Sequence, residues 1–268
     1  MKFENTRAFN FEGAFRGLRN PLESWDKSDS WFGLVHLYND DPLTDVCDAW
    51  IEHENVGRRE RGVEEYSHEM KNYNEYYDIL EKYEHWLVDE GILNADKYDD
   101  VYDVAFIGPN DLALAQKLIL AGNEHAKFMR QIFVSVDITA PIYFFKEFDT
   151  YKIGTTANST STMHKLTSEP ITPDKFEWDV NFGKYQDSVM DICEMLRQKY
   201  VETKDKCYWR ALVQILPQAW LQTRTVTMSY TNLRNIYFQR RSHKLIEWHK
   251  FCEWIKSLPY AEELITIE

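Results

Sequence analysis

The side chains best suited to chemistry crowd into one stretch, Gly122 to Lys165, GNEHAKFMRQIFVSVDITAPIYFFKEFDTYKIGTTANSTSTMHK. Its second half, DTYKIGTTANSTSTMHK, is dense in hydroxyls and nearly free of large aliphatic side chains. Hydroxyls and amides both donate and accept, so such a stretch can line a polar ligand site when an apolar base holds it rigid. Composition leaves a second reading open, an ordinary surface connection rich in Ser and Thr. A second group lies near the C-terminus, where Arg234, Arg240 and Arg241 precede His243 and His249. Arg234 and Arg241 are seven residues apart and share a helical face. Guanidinium groups bind phosphate or carbonyl oxygens in a two-pronged way, although a solvated basic face is the usual fate of helical arginines. Arg16 and Arg19 leave the same choice open, between an anion and a neighbouring carboxylate. His125, His164 and His243 are too widely spaced to imply a metal site, and none is expected. His125 is the best placed of them, in the connection before a strand.

Several familiar signatures are absent: GxGxxG after a strand, a Walker loop, HExxH and GxSxG. The 268 residues carry a formal net charge of −13, which argues against binding a nucleic-acid polymer through its backbone. A small anion held by a few local cations remains compatible with it. The acidic excess is densest between Glu64 and Asp103 and reads as a solvated face. An aromatic content of 15% provides ample material for a core. Cys47, Cys193, Cys207 and Cys252 are scattered without CxxC spacing. Cys193 and Cys252 fall on apolar faces of expected helices, so buried free thiols in a reducing cytoplasm are expected. No apolar run approaches a membrane span, and MKFENTRAFNFEG does not read as a signal peptide.

The elements that must position these residues follow from periodicity. Residues 1–60 read as irregular, with a weak helical signal at Asp45–His53. Tyr66, Met70, Tyr73, Tyr77, Leu80 and Leu87 recur at helical spacing up to Gly91. A short strand is expected at VYDVAFI. GPNDLALAQKLILAG reads as a helix capped by Asn110 or Asp111 and ended by Gly122. Ile132, Val134, Val136 and Ile138 alternate as in a half-buried strand. Pro141 opens a short helix burying Ile142, Phe145 and Phe148. Further helices are expected around Val189–Tyr200 and Trp209–Trp220, the latter broken at Pro217, then a strand TRTVTMS. One long helix from about Asn232 to Leu258 ends before Pro259. Mixed order without repeated βαβ units gives the α+β class.

Two segments together cover about half of the chain and resemble the core of the flavin-dependent thymidylate synthases. The first is AGNEHAKFMRQIFVSVDITAPIYFFKEFDTYKIGTTANSTSTMHK, with a His-containing loop, a strand, an Ala-Pro step and then the region of the family signature RHRxxSxNxxSxR. The second is ILPQAWLQTRTVTMSYTNLRNIYFQRRSHKLIEW, which is similar to the family's Leu-Pro element, strand and final helix. Thr150, Tyr151 and Lys152 stand where the signature has Arg-His-Arg, and Thr155 stands for its first Ser. Asn158 and Ser161 match its Asn and second Ser, and Met163 replaces its last Arg.

The resemblance implies mixed helices around a small antiparallel sheet, with 106–268 as the family-like core and 1–105 as an aromatic, helical extension packed on it. It implies methylation of deoxyuridine monophosphate to thymidylate, or a close variant. Hydroxymethylation of a pyrimidine nucleotide, or binding without catalysis, are the alternatives. FAD, methylene-tetrahydrofolate and a reduced nicotinamide would take part, in a cytoplasmic homotetramer with sites at subunit interfaces. Arg240 or Arg241 would be catalytic. His125, Tyr151, Lys152, Thr155, Asn158 and Asn235 would face the cofactor. Glu147, Ser161 and Arg234 would face the pyrimidine deoxynucleotide. Glu147 stands where the family has a nucleotide-contacting Gln.

Overall fold

In the computed structural model, residues 1–36 and 101–268 are described, together with Asn55, Arg59 and Gly62 between them. The expected helices at Asp45–His53 and Glu65–Val88, and Cys47, lie outside the described residues. The class is α+β, with helices and a small sheet interleaved along the chain. The chain divides into two compact units. The first comprises Met1–Thr6, Ser135–Met228 and His243–Lys250; the second comprises Arg7–Val134, Ser229–Ser242 and Phe251–Glu268.

A four-stranded sheet frames the first unit, in the order β1 (Lys2–Phe9), β4 (Phe133–Pro141), β6 (Leu221–Ser229), β5 (Thr156–Ser159). β4 shows the expected alternation: Val134, Val136, Ile138 and Ala140 are buried, and the residues between them are half-exposed. Period-two alternation puts one face of the sheet in the core and leaves Asp137 and Thr139 on the other. Pro141 ends β4 and caps α3 (Ile142–Phe148). That helix buries Phe144 with Phe145 and Phe148, whereas Ile142, expected in that role, is only half-buried. A one-turn helix, α4 (Thr162–Lys165), follows β5.

Helices α5 (Lys184–Thr203) and α6 (Lys206–Ile215) then pack as a hairpin. Lys204 turns the chain in the left-handed region, and the Asp205 carboxylate caps α6 by accepting from the Cys207 N–H. Their core is Cys193, Leu212, Leu166, Ile171, Phe176 and Ala219. Burial raises the Cys193 thiol above its ordinary value, as expected of an inert packed thiol.

The second unit holds α1 (Phe11–Arg19), the antiparallel ribbon β2 (Trp31–His36) with β3 (Val101–Phe106), α2 (Pro109–Ala121) and α7 (Tyr230–Arg240). β1, α1 and β2 correct the reading of residues 1–60 as irregular. The amphipathic spacing of Phe11, Ala14, Phe15 and Leu18 buries one face of α1. Phe15 meets Phe128 edge-on, and Phe11 meets Tyr230 and Tyr260. The Tyr260 hydroxyl donates to the Ala105 carbonyl and accepts the Ile107 N–H, so it ties down the end of β3.

Helix α2 ends at Gly122 as expected, where φ is 123°. Its cap is a correction. Neither Asn110 nor Asp111 caps it; the Asp29 carboxylate accepts both of their N–H groups, at 2.8 and 3.0 Å. Gly108 makes this possible, because a Cβ there would lie 2.3 Å from the Asp29 carboxyl carbon. Asp111 is thereby freed for another role. Fully buried, it accepts from Arg19 Nε at 2.6 Å, Ser28 Oγ at 2.5 Å and Ser30 Oγ at 2.6 Å.

The long C-terminal helix is also corrected, because α7 and α8 (Ile246–Lys256) are separate. No Gly or Pro stands at the break. The His243 ring accepts the Leu245 N–H at 3.2 Å, offering the backbone a partner outside the helical ladder. His249 Nε2 lies 2.5 Å from the His243 carbonyl oxygen.

Candidate functional site

The presumed polar loop after α3 is partly a strand. β5 pairs antiparallel with β6, with Thr156 opposite Thr227, Asn158 opposite Thr225 and Ser159 opposite Arg224. All four β5 residues are exposed, so backbone pairing rather than side-chain burial holds it in place. The polar face of the sheet continues inward. Asp137 accepts from Asn5 Nδ2 at 2.8 Å and from Thr225 Oγ1 at 2.5 Å, and the Thr225 bond, then the Asn5 bond, hold its carboxyl below the usual value. Thr139 and Thr223 are hydrogen-bonded across β4 and β6 at 2.7 Å.

Beside Thr139 and Thr223 a cleft of about 490 Å³ opens. Thr160, Ser161 and Thr162 form one side, with Trp220 and Leu221 as apolar wall. Ser161 caps α4: its Oγ accepts the His164 N–H at 3.1 Å and lies 2.7 Å from His164 Nδ1. Lys2, Lys165 and Lys175 also line the cleft, as do Glu169 and Asp174. Lys175 is 2.9 Å from Glu169, and that hydrogen bond raises its ammonium above the ordinary value.

Glu147 sits in an aromatic setting within the same unit. Its Oε2 accepts the Trp248 indole N–H at 3.0 Å and lies 3.4 Å from His243 Nε2. Because His243 Nδ1 accepts from Leu245, the ring proton belongs on Nε2, facing Glu147. Trp248 is fully buried, with the Phe144 ring 4.8 Å and the Tyr151 ring 5.9 Å away, centroid to centroid. Glu147 is therefore oriented by a tryptophan and a histidine. Arg224 is similarly occupied, donating to Asp149 at 2.6 Å and lying over the Phe145 ring at 4.1 Å.

The first unit thus brings Glu147 and Tyr151 together around Trp248 and puts Ser161 on the cleft. Thr155 is half-buried, and Lys152 and Asn158 are exposed. The second unit carries His125, Arg234, Asn235, Arg240 and Arg241. His125 is exposed, in a turn where its N–H donates to the Gly122 carbonyl. Arg234 Nη1 donates to the carbonyls of Ile265 and Ile267, both at 2.7 Å. Burial lowers the Arg234 guanidinium from its ordinary value. Arg234 and Arg241 do share a face, 4.6 and 4.9 Å from the Phe238 ring, and Arg241 is paired with Glu268. Asn235 is exposed and Arg240 half-buried. Arg19, open between two readings in the sequence, is committed to Asp111.

Sequence reasoning missed Trp248 and His243 as the partners of Glu147, and Lys2, Lys165, Lys175, Thr139 and Thr223 as cleft residues. The only available signal was the alternation of Thr223, Thr225 and Thr227 along β6, which marks a polar sheet face.

No family model matches the chain, and no curated protein matches it. Among solved structures it is similar to flavin-dependent thymidylate synthase ThyX of Helicobacter pylori complexed with FAD and dUMP. The TM-score is 0.49 at 17% identity, over 59% of this chain and 83% of that one. A second structure of the Helicobacter pylori enzyme with FAD and dUMP gives 0.49 and 17%, over 59% and 82%. The UMP/dUMP methylase PolB from Streptomyces cacaoi, bound with 5-Br UMP, gives 0.44 and 12%, over 59% and 83%.

Proposed function

We propose that this protein transfers a one-carbon unit to a pyrimidine deoxynucleotide, converting deoxyuridine monophosphate to thymidylate or a close variant of it. One observation carries the reading. The two segments that resemble the flavin-dependent thymidylate synthases lie some 50 residues apart, yet β5 of the first pairs directly with β6 of the second. Segments adjacent in one sheet can build one site, whereas an accidental resemblance need not bring them together.

The residues along that edge are suited to a flavin dinucleotide. β5 is exposed throughout and offers Asn158 and Ser159 as donors, and Lys152 is an exposed cation without an ion pair among the described residues. Lys152, Thr155 and Asn158 would hold the cofactor, with Tyr151 contributing from the same unit; His125 and Asn235, assigned to the cofactor by the resemblance alone, belong to the second unit. When bound, FAD would supply two-electron reduction of a carbon unit donated by methylene-tetrahydrofolate, with a reduced nicotinamide as the reductant. Arg240 or Arg241 acts as a fixed cation against a ring carbonyl, stabilising negative charge as it develops on the pyrimidine. Glu147 and Ser161 would orient the nucleotide; Arg234, which the resemblance also assigns to it, is held by the Ile265 and Ile267 carbonyls. The reading also carries a cytoplasmic homotetramer, with residues 1–105 as an extension on the core. Among the described residues no helix is long and apolar enough to cross a membrane.

The test is the absorption spectrum of the purified protein with FAD supplied, followed by turnover of deoxyuridine monophosphate with methylene-tetrahydrofolate and a reductant. A flavin spectrum with thymidylate formed supports the proposal. Flavin with a hydroxymethylated product selects the variant reaction. Absence of flavin binding removes both and leaves a protein that binds nucleotide without catalysis.

A further inference from the structure

Helix α5 is 20 residues long, yet Cys193 is its one buried residue, and Leu212 is the one buried residue of α6. Helices draw most of their stability from burying an apolar face. Here apolar side chains stay outside: Tyr185 is 66% exposed, Ile192 47% and Met195 50%. With Ser188 and Lys199, both exposed, they recur at spacings of three and four and so form one stripe along the helix. The stripe is turned away from the side on which Cys193 packs.

Charge identifies what covers it. The whole chain, at −13, repels a copy of itself. Residues 184–215 carry six Lys and Arg against five Asp and Glu, so the hairpin is a nearly neutral face. Its charges are also divided along α5, with Asp187 and Asp191 before the centre of the stripe and Lys199 after it. Lys199 is 3.7 Å from Glu202, an exposed pair that holds it only weakly. A parallel second copy would set Lys199 against Lys199. An antiparallel copy, on a two-fold axis between Ile192 and Met195, sets Ile192 against Met195 of the second copy and Lys199 beside its Asp187 and Asp191.

We propose that α5 is a self-association surface on which a second copy of this chain docks antiparallel, with Ile192 and Met195 at the centre. The contact uses no residue assigned above to cofactor, nucleotide or catalysis, and none that lines the cleft, so it stands apart from the proposed function. A two-helix contact of this length buries less than about 1,200 Å², the low end of specific interfaces, so a dissociation constant in the micromolar range is expected.

Sedimentation velocity of the full chain between about 1 and 100 μM tests this. The wild-type mass should rise with concentration. Ile192→Glu with Met195→Glu should raise the dissociation constant about tenfold or more and halve the mass where the wild type is associated. Both positions are exposed, so the far-ultraviolet circular dichroism should not change; Ile192→Leu with Met195→Leu should keep the association. Lys199→Glu should weaken it about threefold, and adding Asp187→Lys and Asp191→Lys to that variant should restore it. A wild-type mass that stays monomeric overturns the surface, and so does a glutamate variant that associates as the wild type does. Lys199→Glu without effect overturns the antiparallel docking. Flavin binding and thymidylate formation are read in separate experiments, so failure of the proposed function leaves these outcomes intact.

Discussion

Two aspartates show how differently the two units treat polar groups. Asp111, in the second unit, is fully buried and accepts from Arg19, Ser28 and Ser30. Asp137, in the first, accepts from Asn5 and Thr225 on an open sheet face beside a cleft whose lysines are only partly paired. A buried charge must be saturated by protein, because desolvation without partners costs several kcal/mol. Once saturated it has no capacity left for a ligand. Donors on an exposed face keep that capacity, because water holds their place until a ligand arrives. Polar clustering alone therefore does not mark a site; what marks it is clustering without internal saturation.

The largest effect expected from this contrast is on Asp111. Asp111→Asn leaves Arg19 buried without its counter-charge and should cost about 3–5 kcal/mol. Asp137→Asn, on the exposed face, should cost under about 1 kcal/mol. Urea denaturation of both variants checks this, and equal losses would dissolve the distinction between the units. Next comes Arg234→Met. It removes two charge-assisted bonds to the carbonyls of Ile265 and Ile267 and should cost about 1.5–3 kcal/mol.

Acid titration separates the units by sign. Glu194, in the first, is held down to about 2, chiefly by its hydrogen bonds from Arg197. A depressed folded-state value means that its stabilisation is present above the unfolded carboxylate value, about 4.3, and is lost as pH falls towards 2. Asp29, in the second, is raised by burial, against the Asn110 and Asp111 N–H bonds that lower it. Its contribution runs the other way: it is full below the unfolded value and lost as pH rises through the folded one. Glu194→Gln should flatten the acid limb of the stability profile and cost about 1–2 kcal/mol at pH 7. A profile unchanged by Glu194→Gln would mean that this ion pair does not act in solution.

What was legible in the sequence depended on which interactions hold each element. β4, α2, α5 and α6 are held by buried apolar faces, and their periodicity gave them away. β5 is held by backbone pairing alone, and TANS carries no apolar pattern to read. β1 was missed for a related reason, because its one buried position is Thr6. The break after α7 depends on the His243 ring, and the cap of α2 comes from Asp29, some 80 residues away. The hydroxyl stretch was recognised as a candidate, but its lysines come from β1, α4 and the connection after it, which only the fold assembles.

The smallest predicted difference tests the contrast on two serines with similar local roles. Ser30 Oγ donates to Asp111 and accepts the Gly108 N–H at 3.1 Å. Ser161 Oγ accepts the His164 N–H and meets its ring. Both would be scored alike by counting bonds. Ser30→Ala withdraws a donor from a fully buried carboxylate and should cost about 1–2 kcal/mol without altering nucleotide affinity. Ser161→Ala removes the cap of a single helical turn at the surface, where water can take its place, and should cost about 0.5 kcal/mol. Its effect should instead appear in titration with deoxyuridine monophosphate, as an affinity loss of about three- to tenfold. The opposite pattern, with affinity tracking Ser30 and stability tracking Ser161, would place the ligand against the saturated network and reverse the assignment of roles to the two units.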